Sequence, residues 1–228
     1  MAQKIDNGSR CIIFLDIDGV LNTTKHNTQI YLQSQQLKHL KHIIENTDAL
    51  IVLTTFWRHF HEYITYVLHR NGIDVGRNML PLPIGTTLGK QCTKKFLHHH
   101  RIKQQENGYH LEEEEQGDST SMIGRSADDE NEYSSRAEEI EAWLKTYGER
   151  YLGGCEQQQH NNNNDDTNEE YAFHLTHWKY VILDDRPSAA KPDTPLYSRF
   201  VHTKTEIGLT EEDAERAIRL LKFGPSTK

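Results

Sequence analysis

The chain has 228 residues, 35% of them hydrophobic and 26% charged, with a formal net charge of −8. That length permits one sizeable α/β core, but the low apolar fraction excludes a chain packed from end to end. The charge is local: residues 109–132 hold nine acids and one base and residues 156–170 five acids and no Lys or Arg, so the remainder is about +5, a mildly basic body compatible with a phosphorylated partner.

Met1 to Arg10 is polar, without the apolar stretch of a secretory signal. Cys11-Ile-Ile-Phe-Leu15 is a short apolar run broken at once by Asp16-Ile-Asp18-Gly19, the pattern of a buried strand ending in a loop. A helix follows over about Leu32 to Asn46, with Leu37, Leu40, Ile43 and Ile44 on one face. Ala49 to Leu53 is a second apolar strand, ending in Thr54-Thr55, and a further helix runs to about Arg70 before Asn71-Gly72. Residues 73–100 hold short apolar pieces and the basic segment Lys90 to Arg101, in which His98-His99-His100 reads as part of a solvated or phosphate-facing basic patch rather than a metal site, since adjacent side chains point apart. Residues 103–133 and 154–170 are of low complexity, acidic and Asn/Gln-rich respectively, and are expected to be disordered inserts. Between them a helix opens near Arg136, with Ala137, Ile140, Trp143 and Leu144 as its apolar stripe. Tyr180 to Leu183 is a third strand, ending in Asp184-Asp185, and Phe200-Val201 a short fourth. The last helix opens at Thr210, with Asp213 three residues on, and ends at Gly224-Pro225.

Strands alternating with helices predict an α/β fold: a Rossmann-like three-layer sandwich with a central parallel sheet, one domain over 10–222. No run of about 18 apolar residues is present, so no membrane span is expected. The three cysteines, Cys11, Cys92 and Cys155, form no CxxC pair and are odd in number, which points to a reducing, intracellular compartment, cytoplasmic or nuclear.

Three strands thus end in polar residues: Asp16 and Asp18, Thr54, and Asp184 and Asp185. Ligands of parallel α/β sheets bind at the carboxyl ends of the strands. Four carboxylates gathered there repel one another unless a cation joins them, and a hard, oxygen-seeking ion such as Mg²⁺ suits that task.

Phe14-Leu-Asp16-Ile-Asp18-Gly19-Val20-Leu21-Asn22 resembles the first motif of the haloacid dehalogenase superfamily, Leu53-Thr54 its second, and Leu183-Asp184-Asp185 its fourth. The stretches Thr54-Thr55-Phe56-Trp57-Arg58, Arg136-x-x-Glu139-Ile140-x-x-Trp143-Leu144 and Gly208 to Asp213 are similar to the haloacid-dehalogenase-like domain of Swiss army knife RNA-repair proteins. The resemblance implies a Mg²⁺-dependent phosphohydrolase. Asp16 is then the nucleophile, Asp18 the acid–base group, and Thr54 a phosphate-binding hydroxyl at a helix start. It further implies that Asp16, Asp18, Asp184 and Asp185 hold the metal, and that Asn22, Thr55 and Arg58 are candidate substrate contacts. The basic third motif matches Arg136 best, with Lys191 and Lys179 as alternatives. The loop and helix between Asn22 and Asp48 and the polar composition of residues 73–135 leave room only for a minimal cap. An open site and a basic body favour phosphorylated RNA or DNA ends as substrate. Two other classes stay open: a small-metabolite phosphatase of nucleotidase type, and a catalytically silent binding module.

Overall fold

Each strand is an unbroken apolar run because each is covered on both faces. In the computed structural model β1 (Ile12–Leu15) lies centrally. It pairs in parallel with β2 (Leu50–Leu53) on one side and β3 (Tyr180–Asp184) on the other, and β3 pairs with β4 (Phe200–His202). The order is β2-β1-β3-β4, all parallel, so each connection must cross over the sheet. The structure describes residues 10–23, 31–87, 135–153, 175, 177–192 and 194–225. The described residues 10–87 and 136–225 belong to one compact unit. The two expected inserts and the basic segment Lys90 to Arg101 lie outside the described residues.

Alternation along the strands sorts the core into two halves. Ile13, Leu15, Ile51, Leu53, Val181, Leu183 and Val201 face one way. There α1 (Ser34–Thr47) presents Leu37, Leu40, Ile43 and Ile44, α2 (His61–Arg70) presents Ile64 and Leu68, and α5 (Glu211–Phe223) presents Ala214, Ala217, Ile218 and Leu221. A short α3 (Val75–Asn78) leads into residues that extend the sheet edge, where Met79 bridges Ile51 and Thr86 bridges Leu53. Ile12, Phe14, Leu50, Val52, Tyr180, Ile182 and Phe200 face the other way, against Ala137, Ile140, Trp143 and Leu144 of α4 (Arg136–Leu152).

The helix ends follow sequence chemistry. Thr210 caps α5 by accepting from the Asp213 N–H, and Asp213 returns a bond to the Thr210 N–H, the reciprocal pair expected from the spacing. The segment after Thr55 departs from expectation. It begins as a 3₁₀ turn, Phe56–Phe60, and becomes α-helical only at His61. The N–H groups of Trp57 and Arg58 are taken by the side chain and carbonyl of Thr55.

Candidate active site

The parallel register places the tips of β1, β2 and β3 side by side. Asp16 N–H donates to the Leu183 carbonyl and Thr54 N–H to the Leu15 carbonyl, so the first residue past each of β1 and β2 is locked to its neighbour. After Asp16 the chain turns sharply: the N–H groups of Val20, Leu21 and Asn22 all converge on the Ile17 carbonyl. Gly19 makes the turn possible with φ of 74°, a backbone conformation that penalises any side chain, and a Cβ there would run into the Asp185 carboxylate.

Asp16, Asp184 and Asp185 come together, with one carboxylate oxygen from each lying within 4.8 Å of the others. Asp16 and Asp184 are buried, at 2% and 0% exposure. Asp16 Oδ1 accepts from the Ile17 N–H at 2.8 Å, and Asp184 Oδ1 from the Arg186 N–H at 2.8 Å. Asp185 accepts from the Thr205 hydroxyl at 2.6 Å. Burial, reinforced by the nearby Asp16 charge, drives the Asp184 carboxyl well above the ordinary carboxylate range, and Arg136 only partly offsets this.

Arg136 enters from the first turn of α4. Its Nε lies 3.4 Å from Asp184 Oδ2, one Nη 3.9 Å from Asp16 Oδ2, and the other Nη 3.7 Å from Glu139 Oε2. The two alternative cations lie elsewhere. Lys179 precedes β3, its carbonyl accepting from the Ile12 N–H at the opposite end of the sheet. Lys191 is exposed and bonded to Glu138 at 3.1 Å.

The remaining predicted residues divide. The Asp18 side chain does not join the three-carboxylate cluster, because its oxygens are engaged elsewhere: Oδ2 accepts from the Trp57 indole N–H at 2.7 Å and Oδ1 from the Asn22 amide at 3.2 Å. Burial raises its pKa above the usual range, against the lowering effect of the Trp57 bond and with the help of the Asp16 charge. Thr54 is fully buried at the tip of β2, and its hydroxyl has no hydrogen-bond partner among the described residues. Thr55 is buried and serves as the cap of the 3₁₀ turn. Arg58 turns inward, 2.7 Å from Glu139 and 3.1 Å from both the carbonyl and the hydroxyl of Thr87.

Glu139, Thr87 and Trp57 were not among the candidates from sequence. A signal for Glu139 existed: it lies three residues after Arg136 and four before Trp143, so an acid stands on the apolar stripe of α4. Trp57 reads as a core residue and does pack on the aliphatic core, while its indole N–H reaches Asp18. Nothing in the sequence marks Thr87, which reaches Glu139 only through the fold.

The residues fit a divalent cation on two counts. Asp184 Oδ2 is buried without a hydrogen-bond donor among the described residues. Among the described residues of this network, four carboxylates (Asp16, Asp184, Asp185 and Glu139) are set against two guanidinium groups, Arg58 and Arg136, a deficit of two charges when all are ionised. Oxygen-only donors from few carboxylates suit Mg²⁺.

A four-stranded parallel sheet flanked by helices, with an acidic cluster at its carboxyl edge, defines an α/β Rossmann-like domain, a fold consistent with the haloacid dehalogenase type. A family model described as the HAD domain in Swiss Army Knife RNA repair proteins matches residues 12–89, and over that stretch the chain is similar to this family. The matched stretch carries Asp16, Asp18, Thr54 and Arg58; Arg136, Asp184 and Asp185 come from beyond it. No curated protein and no solved structure matches the chain.

Proposed function

We propose that this domain is a Mg²⁺-dependent phosphohydrolase working through an aspartyl-phosphate on Asp16, with a phosphorylated polynucleotide end as its substrate. The observation that carries the reading is the convergence of Asp16, Asp184 and Asp185 around Arg136. Asp16 Oδ2 attacks phosphorus in line with the ester oxygen; a phosphorus–oxygen bond to Asp16 forms as the bond to the leaving group breaks. Asp18, whose burial favours the protonated form, gives its proton to the departing oxygen. It then takes a proton from the water that attacks phosphorus and releases Asp16 and phosphate. The buried Thr54 hydroxyl donates to a phosphoryl oxygen, which supplies the partner it lacks. Arg136 adds fixed positive charge beside the transferring group. A bound Mg²⁺, held by Asp16, Asp184 and Asp185, would supply charge neutralisation at the phosphoryl oxygens.

The polynucleotide substrate is supported by the family match and by the basic remainder of the chain. A third support is local: Phe60, Tyr63 and Tyr66 are exposed on the turn and helix that begin beside Asp18, and the Phe60 ring lies 5.8 Å from that of Trp57. Exposed aromatics of this kind stack unpaired bases. Among the described residues no helix is long and apolar enough to cross a membrane.

The test is phosphate release with Mg²⁺ from 3′- and 5′-phosphorylated oligonucleotides, set beside a panel of phosphorylated metabolites, with chelator and Asp16→Asn controls. The expected result is metal-dependent release favouring oligonucleotide ends. Efficient hydrolysis of small esters with phosphorylated RNA and DNA left untouched would make the protein a small-metabolite phosphatase instead. Phe60→Ala should raise KM for oligonucleotide ends about fivefold to a hundredfold, the ~1–3 kcal/mol worth of one stacked base, and leave a small chromogenic ester unaffected.

A further inference from the structure

The three clustered carboxylates are held by two kinds of donor. Asp16 Oδ1 is fixed by the Ile17 N–H and Asp184 Oδ1 by the Arg186 N–H, both at 2.8 Å. Those donors are main-chain groups just downstream, so they come with the strand tips and survive a change of side chain. Asp185 is different. Among the described residues its carboxylate is held by a side chain, the Thr205 hydroxyl, 20 residues further along. At 2.6 Å the bond falls within the about 2.5–2.7 Å of a hydroxyl bonded to a charged carboxylate.

The fold prepares this donor. Parallel pairing sets His202 of β4 beside Asp184. The chain then closes a turn in which the Ile207 and Gly208 N–H groups donate to the Lys204 carbonyl, at 2.9 and 2.8 Å. That turn is fastened to the site from both ends. On the near side, His202 Nε2 donates to the Asp185 carbonyl at 2.9 Å, the Thr203 N–H to the Asp184 carbonyl at 3.1 Å, and the Thr203 hydroxyl to the Gly19 carbonyl at 2.7 Å. On the far side, the Leu209 N–H donates to the Val20 carbonyl at 2.8 Å. Thr205 therefore stands on backbone tied both to β3 and to the turn that follows Asp16. Gly19 closes the opposite side of Asp185: a Cβ added there would fall 2.2 Å from its carboxylate.

The carboxylate of an aspartate turns easily, because its last torsion is broad. The Thr205 bond fixes that rotation. A divalent ion needs its oxygen donors at set positions, most strictly Mg²⁺ with its octahedral preference. Groups that hydrogen-bond to metal ligands are accordingly worth about 10–100-fold in metal affinity. We propose that Thr205 is a positioning residue that fixes the Asp185 carboxylate as an oxygen donor to the divalent ion, and so sets how tightly the site holds that ion. This rests on the metal site of the phosphohydrolase reading, not on its nucleophile or its substrate.

The experiment is a titration of the full chain with Mn²⁺, read by electron paramagnetic resonance of the free ion, and repeated in competition with Mg²⁺. Thr205→Val, which keeps the shape and loses the hydroxyl, should weaken binding of both ions about 10–100-fold, while Thr205→Ser should stay within about threefold of the native protein. If Thr205→Val does not fold, Thr205→Ala is titrated in its place. In an Asp185→Ala background, Thr205→Val should change the Kd less than about twofold, because residues that act as a pair do not add. An unchanged Kd in Thr205→Val overturns the proposal and leaves the metal site standing. A loss in Thr205→Ser equal to that in Thr205→Val overturns it as well, since the hydroxyl would then not be the cause. So does an equal loss with and without Asp185, which would make Thr205 a purely structural residue. A native protein that takes up neither ion removes the metal site from the phosphohydrolase reading, and this proposal with it.

Discussion

The two faces of the sheet are packed from different materials. One is aliphatic, with Ile13, Leu15, Ile51 and Leu53 meeting the Leu, Ile and Ala stripes of α1 and α5. The other is aromatic: Phe14 meets Trp143 edge-on at 5.3 Å and Tyr180 at 6.1 Å, and Trp143 in turn meets Tyr147 and Tyr151. Aliphatic side chains interdigitate in many ways, whereas large rings fix their partners by shape and by the polar groups at their edges. The Trp143 indole N–H donates to the Ile84 carbonyl at 2.7 Å, and Trp178 lies so close to Gly148 that no Cβ fits between them. Helix α4 is thereby held at a set height, and α4 carries Arg136 and Glu139. The aliphatic face supports the sheet; the aromatic face also aims a charge into the site.

Substitutions on the two faces should break this contrast in different ways. The largest effect is expected from Trp143→Ala, which empties the centre of the aromatic face and removes the bond to Ile84. It should cost about 3–5 kcal/mol of stability, seen in chemical denaturation, and should lower kcat even where the variant remains folded. Leu40→Ala, at 0% exposure on the aliphatic face, should cost about 2–5 kcal/mol yet leave kcat unchanged under folding conditions. A kcat loss in Leu40→Ala matching that in Trp143→Ala would erase the distinction. Gly148→Ala forces a methyl against Trp178 and should cost about 1–3 kcal/mol, with a smaller fall in kcat that follows the displacement of α4.

The smallest effect belongs to the end of α1. Asp48 adopts a left-handed conformation with φ of 52°, and its carboxylate accepts from Arg77 at 2.7 Å and from Asn78 at 3.1 Å. The Arg77 bond depresses the Asp48 pKa below its ordinary value. The linked stability is therefore present above the unfolded-state pKa and lost as pH falls through the lower folded-state value. Both partners are exposed, so the contribution is slight. Arg77→Ala should flatten the loss of stability on acidification below about pH 4 without touching activity near neutrality. A larger acid sensitivity in the variant would contradict the assignment.

How much of this was legible beforehand depended on whether local pattern or tertiary contact set the feature. The four strands could be read because burial on both faces leaves unbroken apolar runs, as in Ile12–Leu15 and Tyr180–Asp184. Their acidic tips could be read because a carboxylate directly after such a run stands at the sheet edge. The capping pair at Thr210 and Asp213 depends on spacing alone and was equally readable. The inward turn of Arg58 was not, since the pattern allows a substrate contact or a surface ion pair equally well. Its partner is 81 residues away. Glu139 was marked only by its place on an apolar stripe, which does not reveal its partners; two arginines from different segments make its burial tolerable. The Asp18 carboxylate groups with the other strand-tip acids in sequence, and only the fold shows Trp57 and Asn22 drawing it aside.

The central claim is that Asp16 becomes phosphorylated. Acid-quenching the protein during turnover of a phosphorus-labelled ester with Mg²⁺, then mapping the label, tests it directly. The predicted result is a hydroxylamine-labile phosphoryl group on the peptide containing Asp16, absent with chelator and absent in Asp16→Asn. Phosphate release that survives in Asp16→Asn, or a label mapped to any other residue, would contradict the account.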